Sequence, residues 1–535
     1  MASWLERVGW AATWRVRQWQ NDRRLAEQVK AVARNEAAPV TRPVILFNAS
    51  TRLVGLSQNA AFSLIAGWAL RLAGTPVVHF LCNAGLRPCV LGTNREKVDA
   101  PPPCKGCITQ THTAYTGAVE RWFEFQADSS LQQALTTLNL SQLRAFEFQG
   151  LPLGEMVLPS LRWILRKNTL AEDGATCFLY RQYIQSAWSV AQQFARLLED
   201  VRPLAVVVFN GMFYPEAAAR WMAGKYGVKA ISHEVALRPL TAFFTTGEAT
   251  AYPIDIPEPF ELTAEQDARL DAYLQQRFQG NFSMAGIKFW PEIRALGAEF
   301  WQKAGRFKQV VPVFTNVIFD TSQGYANVLF ADMFAWLDQV LEIIRAHPET
   351  YFVIRAHPDE TRPGKESRQS VADWVQRNKL AALENVLFVD SRQYFSSYEL
   401  IQRCKFVMVY NSTIGLEASL LNAPVLCGGK ARFTQIPTVF FPASAAAYRQ
   451  QAEEFLADKK ISVPEFFNRN ARRFLYVQLF RTSLPMGKFI EEDGIRRGYV
   501  RFKKFDIQEL TPEKSPAVRA ILDGILRNGN FQLDE

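Results

Sequence analysis

Twice in its first half the chain repeats one pattern: a short apolar run, a polar turn, a helix-length segment and a second short apolar run. Residues 44–47 are apolar and lead through Asn48-Ala49-Ser50-Thr51-Arg52 into a helix-compatible stretch over 56–72, then Gly74-Thr75-Pro76 and the run 77–81. The run 204–209 leads through Asn210-Gly211 into 216–226, then Gly227 and the run 228–232. A strand, a crossover helix and a second strand in that order specify a parallel pair. These segments therefore confine the chain to α/β architectures.

The rhythm resumes after a helical, charged connector over 256–306. Strands are expected at 309–314, 351–355, 386–389, 406–410 and 424–426, with helices at 333–346 and 415–421. The pattern predicts two Rossmann-like, doubly wound parallel-sheet domains with helical segments at both ends, and 535 residues are enough for both. The expected divisions are a helical leader over 1–40, a first sheet domain over 41–295, a second over 296–460, and a basic helical tail over 461–535 that braces the two.

Net charge is +9, from 61 basic and 52 acidic residues. This is mild for the length, and no nucleic-acid-binding motif accompanies it, so no nucleic-acid partner is expected. The excess gathers between Arg469 and Lys504, where ten Lys/Arg face three acids, interleaved with Phe474, Tyr476, Phe480 and Phe502. That segment reads as the brace, or else as a platform for anionic acceptors or the inner leaflet. No run approaches the ~18 apolar residues that span a bilayer, and the first residues lack a signal-peptide pattern. A cytoplasmic chain is expected, with peripheral contact at the inner face of the membrane left open. In the leader, Trp4, Trp10, Trp14 and Trp19 alternate with Arg7, Arg15, Arg17, Arg23 and Arg24 without sharing one face. Packing on its own domain therefore competes evenly with a membrane-surface role.

Seven cysteines, an odd number in a long chain, argue against a secreted disulfide framework. Four of them, Cys82, Cys89, Cys104 and Cys107, lie close together in sequence, the last pair after three prolines. They suit either a closed, structural zinc site, with His112 as a substitute ligand, or reduced, unliganded thiols. No cofactor is expected to be needed for catalysis.

The chemistry-bearing residues fall at predicted strand ends, where doubly wound sheets bind ligands. The strand 351–355 runs into Arg355-Ala356-His357-Pro358-Asp359-Glu360, offering a cation and an imidazole donor to a phosphate. The strand 406–410 runs into Asn411-Ser412-Thr413-Ile414-Gly415-Leu416-Glu417. There two hydroxyls and the amides of a helix start form an anion site, and Glu417 could accept from ribose hydroxyls. The ordinary alternatives are a solvated surface turn for His357 and a plain Ser/Thr cap with a first-turn Glu for 412–417.

Three segments resemble the capsule polysaccharide biosynthesis family: residues 314–320; Arg355-Ala356-His357-Pro358 with Glu360; and Asn411-Ser412-Thr413 with Gly415, Glu417 and Pro424-Val425. The family is similar to bacterial Kdo and sialic acid transferases in its His-Pro and Ser/Thr motifs. The resemblance implies a GT-B fold, with donor nucleotide on the C-terminal half, acceptor on the N-terminal half and a cleft between them. It further implies that His357 contacts the donor phosphate, that Ser412 and Thr413 bind its oxygens, and that Glu417 approaches the ribose. Relatives place an acidic base in the N-terminal half within a Glu-Asp-Gly-type motif. Here Glu492-Asp493-Gly494 lies in the tail instead.

The base is therefore sought at His233-Glu234, read as directly following the strand 228–232. Glu234 would take the proton from an acceptor hydroxyl and His233 would polarise the acceptor or the leaving phosphate. Asn210-Gly211 would let the backbone approach the acceptor. A buried structural Glu is the competing reading. The expected function is a nucleotide-sugar-dependent glycosyltransferase, with a CMP-linked sugar among the candidate donors, building a capsule or other surface polysaccharide on a saccharide or lipid-linked saccharide. The alternatives are transfer of another activated group, such as polyol phosphate from a CDP donor, or a non-catalytic sugar- or nucleotide-binding scaffold.

Overall fold

The computed structural model describes residues 4–49, 54–279, 294–364, 366–496 and 498–535. Residues 50–52 of the expected loop after the first strand lie outside them. The chain divides into two compact units: Met1–Ile164 with Leu170–Tyr252 and Leu479–Glu535, and Leu165–Thr169 with Pro253–Gln478.

The first unit is built on β1 (Val44–Phe47), β2 (Val77–Cys82), β3 (Val119–Phe123), β4 (Ala205–Phe209), β5 (Lys229–Val235), β6 (Thr241–Thr246) and the late strand β12 (Leu484–Pro485). Their order is β12-β6-β5-β4-β1-β2-β3. The pairs among β1 to β5 are parallel, whereas β6 runs antiparallel to both β5 and β12. β1 and β4 are continuous apolar runs because helices cover both of their faces. The helix α2 (Gln58–Leu72) follows β1; Ser57 caps it by accepting the Ala60 amide at 3.1 Å. Gly67 lets α2 press on the sheet, since a Cβ there would lie 2.8 Å from Leu46 Cδ1.

The second unit holds β7 (Gln309–Phe314), β8 (Thr350–Arg355), β9 (Val386–Val389), β10 (Val407–Val409) and β11 (Val425–Cys427), all parallel, in the order β11-β10-β7-β8-β9. The expectation of an α/β fold with two Rossmann-like sheets of parallel strands holds, with β6 as an antiparallel strand in the first. In each unit the first strand is flanked by the second on one side and by a later one on the other: β1 by β2 and β4, β7 by β8 and β10. Crossovers leave in opposite directions there, opening a crevice at the carboxyl ends of those strands. Asn48 and Asn210 follow the strands at one such point, Asn316 and Asn411 at the other.

Several boundaries differ from expectation. The leader helix α1 (Trp4–Asn35) buries Leu25, Val29 and Val32 in the core of the first unit. The connector helix Ala264–Phe278 belongs to the second unit, where Arg472 pairs with Asp267 and Asp271 at 2.7 Å each. The tail is not one element. Its helix Glu465–Tyr476 stays with the second unit, while 479–535 supplies β12 and the helix Pro516–Arg527 to the first. Among the described residues no helix is long and apolar enough to cross a membrane.

Candidate functional site

In the second unit, β8 ends at Arg355 and the chain turns at His357 into the short helix Pro358–Thr361. His357 Nδ1 accepts the Asp359 amide at 3.2 Å. A neutral ring with Nδ1 accepting carries its proton on Nε2 and presents a donor there. Burial pulls the His357 pKa below its ordinary value; Asp359 opposes this, and Arg362 and Arg355 add to the fall. The ring is thus a neutral donor rather than a cation. Arg355 departs from expectation: it is buried and donates to the Phe395 carbonyl at 2.5 Å and to Ser397 Oγ at 2.6 Å. Burial lowers its pKa to about 10, so the guanidinium stays charged at neutral pH. These bonds direct it to the loop ahead of the helix Ser397–Gln402, and it is not counted as a phosphate ligand.

Across the switch point, Asn411 Oδ1 accepts from Asn316 Nδ2 at 2.7 Å, and Asn316 Oδ1 accepts the Val317 amide at 2.8 Å. Asn411 therefore fixes the two strand-end loops against each other. The amides of Gly415, Leu416 and Glu417 turn back onto the Ser412 and Thr413 carbonyls. That leaves the amides of Ser412, Thr413 and Ile414 and the Ser412 and Thr413 hydroxyls, none of which has a hydrogen-bond partner among the described residues. The helix Ile414–Leu420 has only seven residues, so these discrete donors matter more than its dipole.

Glu417 is placed otherwise than expected. It is 5% exposed, with Oε1 accepting Arg277 Nη2 at 2.6 Å and Oε2 accepting the Tyr398 hydroxyl at 2.5 Å. Burial works against the Arg277 charge, yet Glu417, Tyr273 and Tyr398 outweigh it and raise the pKa. Burial, then Glu417, raises that of Tyr398. Glu417 thus anchors a buried ion pair and does not stand open to a ribose.

In the first unit, β5 runs through Val235, so His233 and Glu234 lie within the strand and point to opposite faces. Glu234 Oε1 accepts from Asn59 Nδ2 at 2.9 Å and from the Val235 amide at 2.8 Å, while Oε2 accepts from Asn210 Nδ2 at 3.0 Å. Three donors suit an ionised carboxylate, which only accepts. Asn210, at φ +59° and 4% exposed, thereby holds the Glu234 carboxylate in place and is buried rather than open to an acceptor. Gly211 has φ +84° and lines a groove of about 770 Å3 with Met156, Met212, Arg220, Trp221 and Glu248. Arg220 donates to the Gly211 carbonyl at 2.6 Å and pairs with Glu248 at 2.8 Å.

His233 is corrected outright. It is 1% exposed, its ring centroid lies 5.2 Å from Phe244 and 6.2 Å from Phe209, and burial lowers its pKa to about 3. It is a neutral core side chain closed off from solvent.

All seven cysteines are free thiols. Cys82 Sγ accepts the Gly85 amide at 3.3 Å and Cys89 Sγ the Gly92 amide at 3.1 Å. Burial pushes both thiols up to about 12, which keeps them neutral. Among the described residues no three His, Cys, Asp or Glu side chains converge to hold a metal ion. That gives no support to a zinc site at Cys82, Cys89, Cys104 and Cys107.

Sequence reasoning missed four residues of these arrangements. Asn316 carries the same signal as Asn411, an amide side chain just past a strand end. Asn59, Arg277 and Tyr398 carry none, because each reaches its partner from a helix distant in sequence.

Residues 301–466 match the model of the family described as capsule polysaccharide biosynthesis protein. The resemblance drawn from three motifs thus holds for this segment. No curated protein matches the chain. Among solved structures it is similar to Thermosulfurimonas dismutans KpsC, a beta Kdo 2,4 transferase, at 12% identity and TM-score 0.34, covering 58% of this chain and 87% of that one. A beta Kdo 2,7 transferase from the same KpsC covers 61% and 90% at 12% identity and TM-score 0.31. The UDP-GlcNAc 2-epimerase of Neisseria meningitidis bound to UDP-GlcNAc covers 81% and 95% at 12% identity and TM-score 0.24. Likeness this distant leaves function to the residues themselves.

Proposed function

We propose that this chain is a glycosyltransferase that takes a sugar from a nucleotide-activated donor and adds it to a saccharide or lipid-linked saccharide of a capsule or other surface polysaccharide. One observation carries the reading, together with the capsule-family signature over 301–466. It is the set of unengaged donors around Ser412 and Thr413 on the same carboxyl rim as His357. β8 and β10 flank β7, so at ~4.8 Å per strand their ends stand about 10 Å apart. That span suits a diphosphate, or one phosphate with its adjoining sugar.

In this mechanism the Ser412 and Thr413 hydroxyls, the nearby amides and His357 Nε2–H donate to phosphate oxygens. They stabilise the charge that builds there as the bond from the sugar to the phosphate oxygen breaks. Glu234, held by Asn59 and Asn210, takes the proton of the acceptor hydroxyl while that oxygen bonds to the anomeric carbon. The groove lined by Gly211, Arg220 and Trp221 offers an aromatic face and polar groups to the acceptor. Fixed donors suffice for this scheme, which requires no cofactor.

The test is a thermal-shift series with CMP, CDP, UDP and GDP. A nucleotide at roughly 100 times its Kd stabilises by about 2.7 kcal/mol. The S412A/T413A variant should lose that stabilisation, and E234Q should keep it while losing transfer. A CMP preference would support a CMP-linked donor. Absence of stabilisation by any of the four would overturn the donor site, and full transfer by E234Q would overturn the base.

A further inference from the structure

We infer that the exposed face of α1 docks on an anionic phospholipid surface. This stands apart from the catalytic reading. The orientation of the helix is fixed by its other face. Leu25, Val29 and Val32 are buried there, Asn21 Oδ1 accepts the Phe502 amide at 2.9 Å, Arg24 donates to the Phe502 carbonyl at 2.9 Å, and Gln28 donates to the Phe505 carbonyl at 3.1 Å.

At 3.6 residues per turn, Ala12, Arg15, Val16, Trp19, Arg23, Lys30 and Arg34 then share a sector of roughly 120°. All seven are exposed. Glu27 is the one acid in that sector among the described residues, and Arg23 holds it at 3.2 Å. Trp19 is 62% exposed and Val16 55%, one turn apart and enclosed by the cations. Trp10, also exposed, points the opposite way and is not part of the patch.

The mixture selects the partner. A nucleic acid or an acidic polysaccharide would be held chiefly by the guanidinium and ammonium groups; either could stack on the indole but would gain little from the isopropyl group. An indole and an isopropyl group side by side gain most where an apolar phase receives both, and a bilayer interface supplies that phase together with anionic headgroups. Long Arg and Lys stems let the charges stay at headgroup level while the indole dips below. Two large apolar side chains on a mainly charged face imply shallow, salt-sensitive adsorption rather than insertion.

The experiment is co-sedimentation of the full chain with phosphatidylcholine vesicles, pure or mixed roughly 7:3 with phosphatidylglycerol. Expected is binding to the anionic vesicles that falls with salt and weakens at least about tenfold in R15E/R23E. V16S/W19S should also weaken it while leaving retention on heparin unchanged. Because these side chains are exposed, unchanged melting temperatures confirm that each variant folds; K30E/R34E serves if one does not. Equal sedimentation with neutral and anionic vesicles would overturn the inference. So would binding to heparin and vesicles alike with no effect of V16S/W19S, which marks a polyanion site. Trp19-dependent dimers by light scattering would also overturn it, by assigning the face to a second copy.

Discussion

Replacing Glu417 by Gln separates the two roles this residue can have. Its side chain and that of Arg277 are each 7% exposed, so solvent screens little of their 2.6 Å pairing. Removing one partner of such a pair leaves a buried charge uncompensated, at about 3–5 kcal/mol. In a unit of this size each kcal/mol moves the midpoint by roughly 2–4 °C, giving a fall of about 6–20 °C. The assay is thermal and urea unfolding of E417Q beside the wild type, with nucleotide titrations on both. Y398F should cost about 1–3 kcal/mol through its hydrogen bond to the same carboxylate. The apolar triple R277M/Y398F/E417L should recover most of the E417Q loss, since well-packed apolar groups often replace buried ion pairs at little cost. A midpoint unchanged in E417Q, with nucleotide affinity reduced at least about tenfold, would refute the structural assignment and return Glu417 to the ribose.

His233 has a folded pKa near 3, so the unfolded chain binds its proton first; stability present above about pH 6.5 is lost as pH falls toward 3. Between pH 7.5 and 5.5 the wild type should therefore lose about 1.4 kcal/mol more than H233F in urea unfolding, and equal losses would reject it. Cys82 and Cys89, pushed up to about 12, should alkylate with iodoacetamide at pH 8 roughly a thousandfold more slowly in the native chain than a thiol at its ordinary value. Mass spectrometry of partially labelled protein reads this, and rapid labelling would contradict the upward shift of these half-buried thiols. At Gly211 a Cβ would stand 3.0 Å from Arg220 Cδ at φ +84°, so Gly211→Ala should destabilise by about 1–3 kcal/mol in thermal unfolding.

The amino-acid order alone determined the alternation of apolar runs with helix-length segments, and hence two sheets of mainly parallel strands. It did so because burial on both faces demands continuous apolar strands, as at 44–47 and 309–314, whose bounds the structure reproduces. It also placed His357, Ser412 and Thr413 at strand ends, since backbone periodicity is local. Where the reading failed, the deciding contact came from far along the chain. β5 extends to Val235 because the unforeseen antiparallel strand β6 pairs with it, turning His233 inward and Glu234 outward. Glu417 looks like an open first-turn acid until Arg277, 140 residues earlier, is folded against it. Likewise the basic tail divides at residue 478 because β12 finds its partner in β6. Local pattern fixes which elements form and which residues reach their ends. Whether a charged side chain there meets solvent, a ligand or a buried counter-ion depends on which distant elements tertiary packing brings against it.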